Sequence, residues 1–146
     1  MELNIEYENG KMCVNIENFL DMHSIGKFKK LLKVIDTSYT PEAHDVLKAY
    51  IMDYLGTVDD RLRSHANKAV DARTHYKEQL PELERLIYKR GTYRRNTPQY
   101  KECTKKIKDK RAYLKNLKTV WKSQERYFDE ALKNKAFYEK CLKLLN

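Results

Sequence analysis

From Tyr100 onward, apolar and aromatic residues recur in steps of three and four. The series runs Tyr100, Cys103, Ile107, Lys110, Leu114, Leu117, Trp121, Gln124, Phe128, Ala131, Lys135, Tyr138, Leu142 and Leu145. Eleven of these fourteen positions are apolar or aromatic, in a chain that is 41% hydrophobic overall. A period of 3.5 residues predicts a long helix that buries one narrow seam against another helix. A matching stripe lies earlier in the chain: Ile51, Leu55, Val58, Leu62, His65, Ala69, Ala72, Tyr76, Gln79, Leu83 and Leu86. Gly56 weakens that stripe by roughly 1 kcal/mol relative to Ala. Pro81 is expected to kink or split it, because the proline ring clashes with the carbonyl four residues back.

Arg90 to Asn96 reads as a turn, and Thr97-Pro98 as a helix start. The stretches 41–90 and 97–146 are each 50 residues long, about 75 Å if straight. Equal apolar-striped helices joined by a short tip, 91–96, imply an antiparallel, coiled-coil-like helical hairpin. Gln124 and Lys135 interrupt the seam and are expected to fix its register.

The pattern changes before residue 41. Leu3, Ile5 and Tyr7 alternate with polar residues, as do Met12, Val14 and Ile16, and Glu8-Asn9-Gly10-Lys11 lies between them. Alternation on both sides of Asn-Gly predicts a β-hairpin. Residues 17–23 carry Phe19 and Leu20 and suit a short helical turn. Ser24 can cap a further helix whose buried face is Ile25, Phe28, Leu31, Leu32 and Ile35. Thr40 and Pro41 then stand as N-cap and first residue of the first long helix. The expected fold is α+β and predominantly α. A small head over 1–40 carries a β-hairpin and short helices, and a long antiparallel helical hairpin follows over 41–146.

Composition narrows the function. Charged residues make up 35% of the chain, with four Gly and three Pro. The mean hydropathy is −0.84. These values suit a few long exposed helices with thin cores better than a thick globule. The first residues lack a signal-peptide pattern, and no apolar run reaches the length of a membrane span. Cys13, Cys103 and Cys141 are scattered and odd in number, which suits reduced thiols at buried or near-seam positions in a cytoplasmic protein.

Catalytic and metal chemistry find little support. His23, His44, His65 and His75 form no HExxH or His–Cys ligand spacing. His65 falls on the apolar stripe, where a hydrogen-bonded seam histidine is expected. The acidic groups Asp59-Asp60, Glu82/Glu84 and Glu125/Asp129/Glu130 suit surface pairs with Lys and Arg, such as Asp59 with Arg63 and Asp129 with Lys133. No phosphate loop or nucleophile elbow is present. The expectation is a non-enzyme with no cofactor, metal or membrane partner.

Charge supplies the candidate site. The net charge is +9, yet residues 1–88 hold 12 basic and 15 acidic groups, while residues 89–122 hold 13 basic and 2 acidic. Lys101, Lys105, Lys108, Arg111, Lys115, Lys118 and Lys122 follow three–four spacing, which places them on one helical face about 100° from the seam. The row spans about 32 Å, close to one duplex turn of about 34 Å. Lys89, Arg90, Arg94 and Arg95 extend it at the tip, where Tyr93 is expected to stand exposed and able to stack on an unpaired base. Cations that replace counterions on phosphates gain free energy by releasing those ions. Lys outnumbers Arg 21 to 9, a usage that an AT-rich genome also produces. Yet only Glu102 and Asp109 interrupt the basic run, so the like-charge repulsion calls for a compensating partner.

In general type (short, Lys- and Tyr-rich, a small head on long helices) the chain resembles accessory proteins of phages and mobile elements. Some of these block nucleic-acid-processing machinery such as RNA-guided nucleases, so the resemblance implies an inhibitor of that kind and carries no residues over. The expected function is non-enzymatic binding of nucleic acid or a nucleoprotein. The alternative is a coiled-coil adaptor or self-associating scaffold, including a homodimer, that meets an acidic protein surface.

Overall fold

The early alternation becomes a β-hairpin in the computed structural model of the chain, which describes residues 2–7, 10–20, 23–37 and 41–146. Strands β1 (Glu2–Tyr7) and β2 (Gly10–Asn15) pair antiparallel, with Leu3 opposite Val14 and Ile5 opposite Met12. Leu3, Ile5 and Val14 are buried, so one face of the ribbon is the core face. Gly10 pairs with Tyr7 and thus begins β2 rather than occupying the centre of the turn. That register leaves Ile16 free to start the next element. Of the expected turn, Glu8 and Asn9 lie outside the described residues, as does the expected helix cap Thr40.

Helix α1 (Ile16–Leu20) follows β2 directly. Asn15 caps it, its Oδ1 accepting from the Asn18 N–H at 3.2 Å, which satisfies one of the orphan donors of a helix start. His23, at φ 47°, turns left-handed beyond it, with its N–H on the Leu20 carbonyl at 3.0 Å. Helix α2 (Ile25–Thr37) has the expected cap, the Lys27 N–H reaching Ser24 Oγ at 3.3 Å. It buries the Phe28, Leu31 and Ile35 face.

Two long helices complete the chain, α3 (Pro41–Gly91) and α4 (Pro98–Leu145), packed as a hairpin. Pro81 does not split α3, one of the two outcomes its place in the stripe suggested. It stands exposed, while Tyr76, Gln79, Leu83 and Leu86 around it are all half-buried. Seam contacts on either side offset the roughly 3 kcal/mol that an internal proline costs. Gly56 is also absorbed within the helix. Thr97 caps α4, its Oγ1 accepting from the Tyr100 N–H at 3.3 Å.

The chain forms two compact units. The first comprises Met1–Leu62 and Glu130–Asn146, and so takes in ends of both long helices in addition to the head expected at 1–40. Its core joins Ile5, Leu20, Phe28, Leu31 and Ile35 to Leu47 and Ile51 of α3 and to Phe137, Tyr138 and Cys141 of α4. Tyr54 meets Tyr138 edge-on at 4.3 Å. Burying each large apolar side chain here contributes about 1.5–3 kcal/mol. Cys13 departs from expectation: it points to the other face of the ribbon, exposed, with its thiol on Asn4 Oδ1 at 2.8 Å. The second unit, Arg63–Asp129, consists of the rest of α3 and α4 with the tip between them.

Candidate nucleic-acid interface

The second unit carries 19 basic and 8 acidic side chains, a net of +11. The positive excess of the chain therefore lies entirely here. What positions it is the seam. All fourteen seam residues of α4 are buried or half-buried, and so are the eleven of α3. Within this unit two polar pairs bridge the helices: His65 Nδ1 to Gln124 Oε1 at 2.7 Å, and Lys110 Nζ to Gln79 Oε1 at 2.7 Å. His65 is thus the hydrogen-bonded seam histidine that its place on the stripe predicted. In the first unit Lys135 Nζ meets Asp59 Oδ1 at 2.9 Å, and this bond and charge raise the Lys135 pKa above its usual 10.5.

With the seam turned inward, the basic row faces out. Lys101, Lys105, Lys108, Arg111, Lys115, Lys118 and Lys122 are all exposed. Among the described residues, no ion pair within 4.0 Å reaches the first six of them. Lys106, beside the row, pairs with Glu102 at 3.3 Å. Lys122 differs from the rest of the row. Its ammonium lies 4.5 Å from the centroid of Trp121 and 4.0 Å from Glu125, whose other oxygen accepts from Trp121 Nε1 at 2.6 Å.

The tip is an ordered turn. The N–H groups of Thr92 and Tyr93 donate to the carbonyls of Lys89 and Arg90, and Thr97 Oγ1 donates to that of Arg94 at 2.7 Å. Lys89, Arg94 and Arg95 are exposed, whereas Arg90 is half-buried with its guanidinium 5.5 Å from the Tyr100 ring. Tyr93 is half-buried rather than exposed. The open ring near the tip is Tyr88, at 78% exposure.

Arg73 belongs with this surface and was not singled out by the sequence pattern. Its guanidinium stands 5.5 Å from the centroid of the same Trp121 ring that Lys122 overlies. A signal exists in retrospect: Arg73 follows the seam residue Ala72, and a small seam residue lets its long neighbour reach over a ring of the partner helix.

Grooves indent this unit. One of about 370 Å³ is lined by Glu82, Leu86, Lys106, Asp109, Lys110 and Tyr113. Another, about 290 Å³, is lined by Ala66, Ala69, Val70, Glu125, Phe128 and Asp129. Among the described residues no group of three or more His, Cys, Asp and Glu side chains could hold a metal ion, and no helix is long and apolar enough to cross a membrane. Compared with protein-family models, with characterised proteins and with solved structures, the chain matches none.

Proposed function

We propose that the protein is a non-enzymatic binder of nucleic acid or of a nucleoprotein, acting through the row from Lys101 to Lys122 and the basic tip. One observation carries this reading: six successive row cations are exposed and have no acidic partner among the described residues. On an ordinary solvated helix face, acidic groups at three- and four-residue spacing would offset such charges. A polyanion supplies the missing compensation, and each contact gains from counterion release. Occupying a nucleic-acid-facing groove with this row would block a nuclease complex, which is the inhibitory role suggested by the general type of the chain. Anisotropy titration of labelled nucleic acid at 50 and 200 mM salt tests the reading. About six phosphate contacts predict a loss of affinity near a thousandfold over that range. A flat salt response, or no binding at 50 mM, refutes it.

A second reading, a protein-binding adaptor or homodimer, has its own support. Tyr113, Val120 and Tyr127 repeat every seven residues on α4 and are 45%, 41% and 40% exposed. That column would give a partner an apolar strip. Sedimentation across a range of protein and salt concentrations tests the homodimer form, which a monomer throughout would exclude.

A further inference from the structure

The free cations stand on one uninterrupted helix, so they form a line of charge about 32 Å long. A duplex is straight on that scale, since its persistence length is about 150 bp, and it presents about one phosphate per 1.7 Å of axis. A single strand would have to be held extended along the row and would lose conformational freedom in doing so. Sites that bind single strands offset that loss by stacking successive bases on aromatic rings.

The rings of this unit do not form a series of open stacking faces: most are half-buried or lie against a cation, and the exposed Tyr113 and Tyr127 stand about 21 Å apart along α4. Trp121 is half-buried, flanked by Arg73 and Lys122, with its N–H on Glu125. Tyr76 is half-buried against Trp121, and Tyr100 lies half-buried under Arg90. Tyr113 and Tyr127 each carry a cation of their own helix, Lys110 at 5.8 Å and Arg126 at 5.2 Å. Tyr88 is open, yet it offers one stacking site on α3 rather than a series along the row. Six of the seven row residues are lysines, point charges that suit phosphates and lack the fixed fork used for bidentate base contacts.

The surface also extends beyond α4. Arg73 and Lys122 approach one ring from different helices, which places their charges within about 10 Å of each other. No ion pair among the described residues holds Arg73.

We infer that the ligand is the sugar–phosphate backbone of a nucleic-acid duplex, bound without regard to sequence, and that Arg73 on α3 is a further contact residue beside Lys122. This rests on the reading of the row as a phosphate-binding surface.

The test titrates the full chain against labelled 16-bp duplexes: two B-form DNAs of unrelated sequence, one A-form RNA, and the separated strands of each, chosen to lack internal pairing. Either duplex form should bind at least tenfold more tightly than its own strands, and the two DNA sequences should agree within about threefold. The log–log salt slope on DNA duplex should lie between about −5 and −6, for six or seven contacts at about 0.9 each. Arg73→Gln should weaken duplex binding about eightfold at 0.1 M salt and flatten the slope by about one, with an unchanged circular dichroism spectrum. Strands that bind as well as the duplex, or a tenfold preference for one sequence, would overturn the duplex assignment and leave phosphate binding standing. An unchanged slope in Arg73→Gln removes that residue from the surface. No binding of any probe at 50 mM salt takes down both readings.

Discussion

Replacing Lys108, Arg111 and Lys115 together by Gln removes the middle of the row while keeping three long, helix-favouring side chains. All three are exposed and have no ionic partner among the described residues, so no ion pair is lost with them. Each phosphate contact scales the binding constant by the salt concentration to a power of about −0.9, which is a factor of about 8 at 0.1 M. Three contacts give about 500-fold, or about 3.7 kcal/mol, and the salt slope should fall from about −5 to about −3. Stability should move the other way. The change relieves the like-charge spacings at 105–108, 108–111, 111–115 and 115–118, each worth a few tenths of a kcal/mol. The triple variant should therefore melt at the same or a slightly higher temperature while binding far more weakly. Anisotropy titration and thermal denaturation, run on the same preparations, check both halves. An affinity within threefold of the parent would refute the reasoning, as would a loss of binding that merely tracks a loss of fold.

Two further outcomes concern the scaffold. Gln124→Leu should destabilise the protein by about 1–3 kcal/mol by stripping His65 of its partner, and His65→Leu with Gln124→Leu should recover most of that in denaturant melts; equal losses in the single and double variants would count against the pair. Burial pushes the Cys141 thiol up from 9.0 to about 12. The unfolded chain therefore gives up this proton near pH 9 while the folded chain holds it. Stability should fall as pH rises from about 9 to about 12, by at most about 1.4 kcal/mol per pH unit for one proton. Lys135 adds to the same alkaline loss, because its raised pKa keeps its contribution present below 10.5 and lets it go above. Melts of Cys141→Ala across this range should show a shallower decline, and an unchanged slope would show that the thiol takes no part.

The elements that were legible in the sequence are those governed by period and by local capping. The seam could be counted residue by residue because a helix keeps its phase over many turns, and each counted position is withdrawn from solvent. Ser24 and Thr97 were readable as caps because the geometry involves only the next three residues. The row of lysines was readable for the same reason as the seam. Features set by long-range packing were less accessible. Phe137 lies off the seven-residue stripe, yet it is buried, because the head surrounds that end of α4 and widens the buried face beyond one seam. Cys13 is exposed because it falls between Met12 and Val14 in the alternation, on the face opposite the core. Pro81 stays within the helix because the half-buried seam residues on either side of it hold the backbone, and the turn at the tip was readable while the partial cover of Tyr93 within it was not. Arg73 joins this surface only through the position of Trp121 across the seam, which the sequence pattern does not give.

The pairs His65–Gln124 and Gln79–Lys110 are centred on the same point of the chain, midway between Arg94 and Arg95. One alignment of the two helices satisfies both at once. A slip by a single heptad would set Gln124 against Ala72 or Val58, and Lys110 against Leu86 or Ala72, with four polar groups stranded together. Long helical stalks that signal by sliding need two alignments of similar energy. In this hairpin both pairs are matched in one alignment, so the exposed cations of α4 keep fixed distances from the tip.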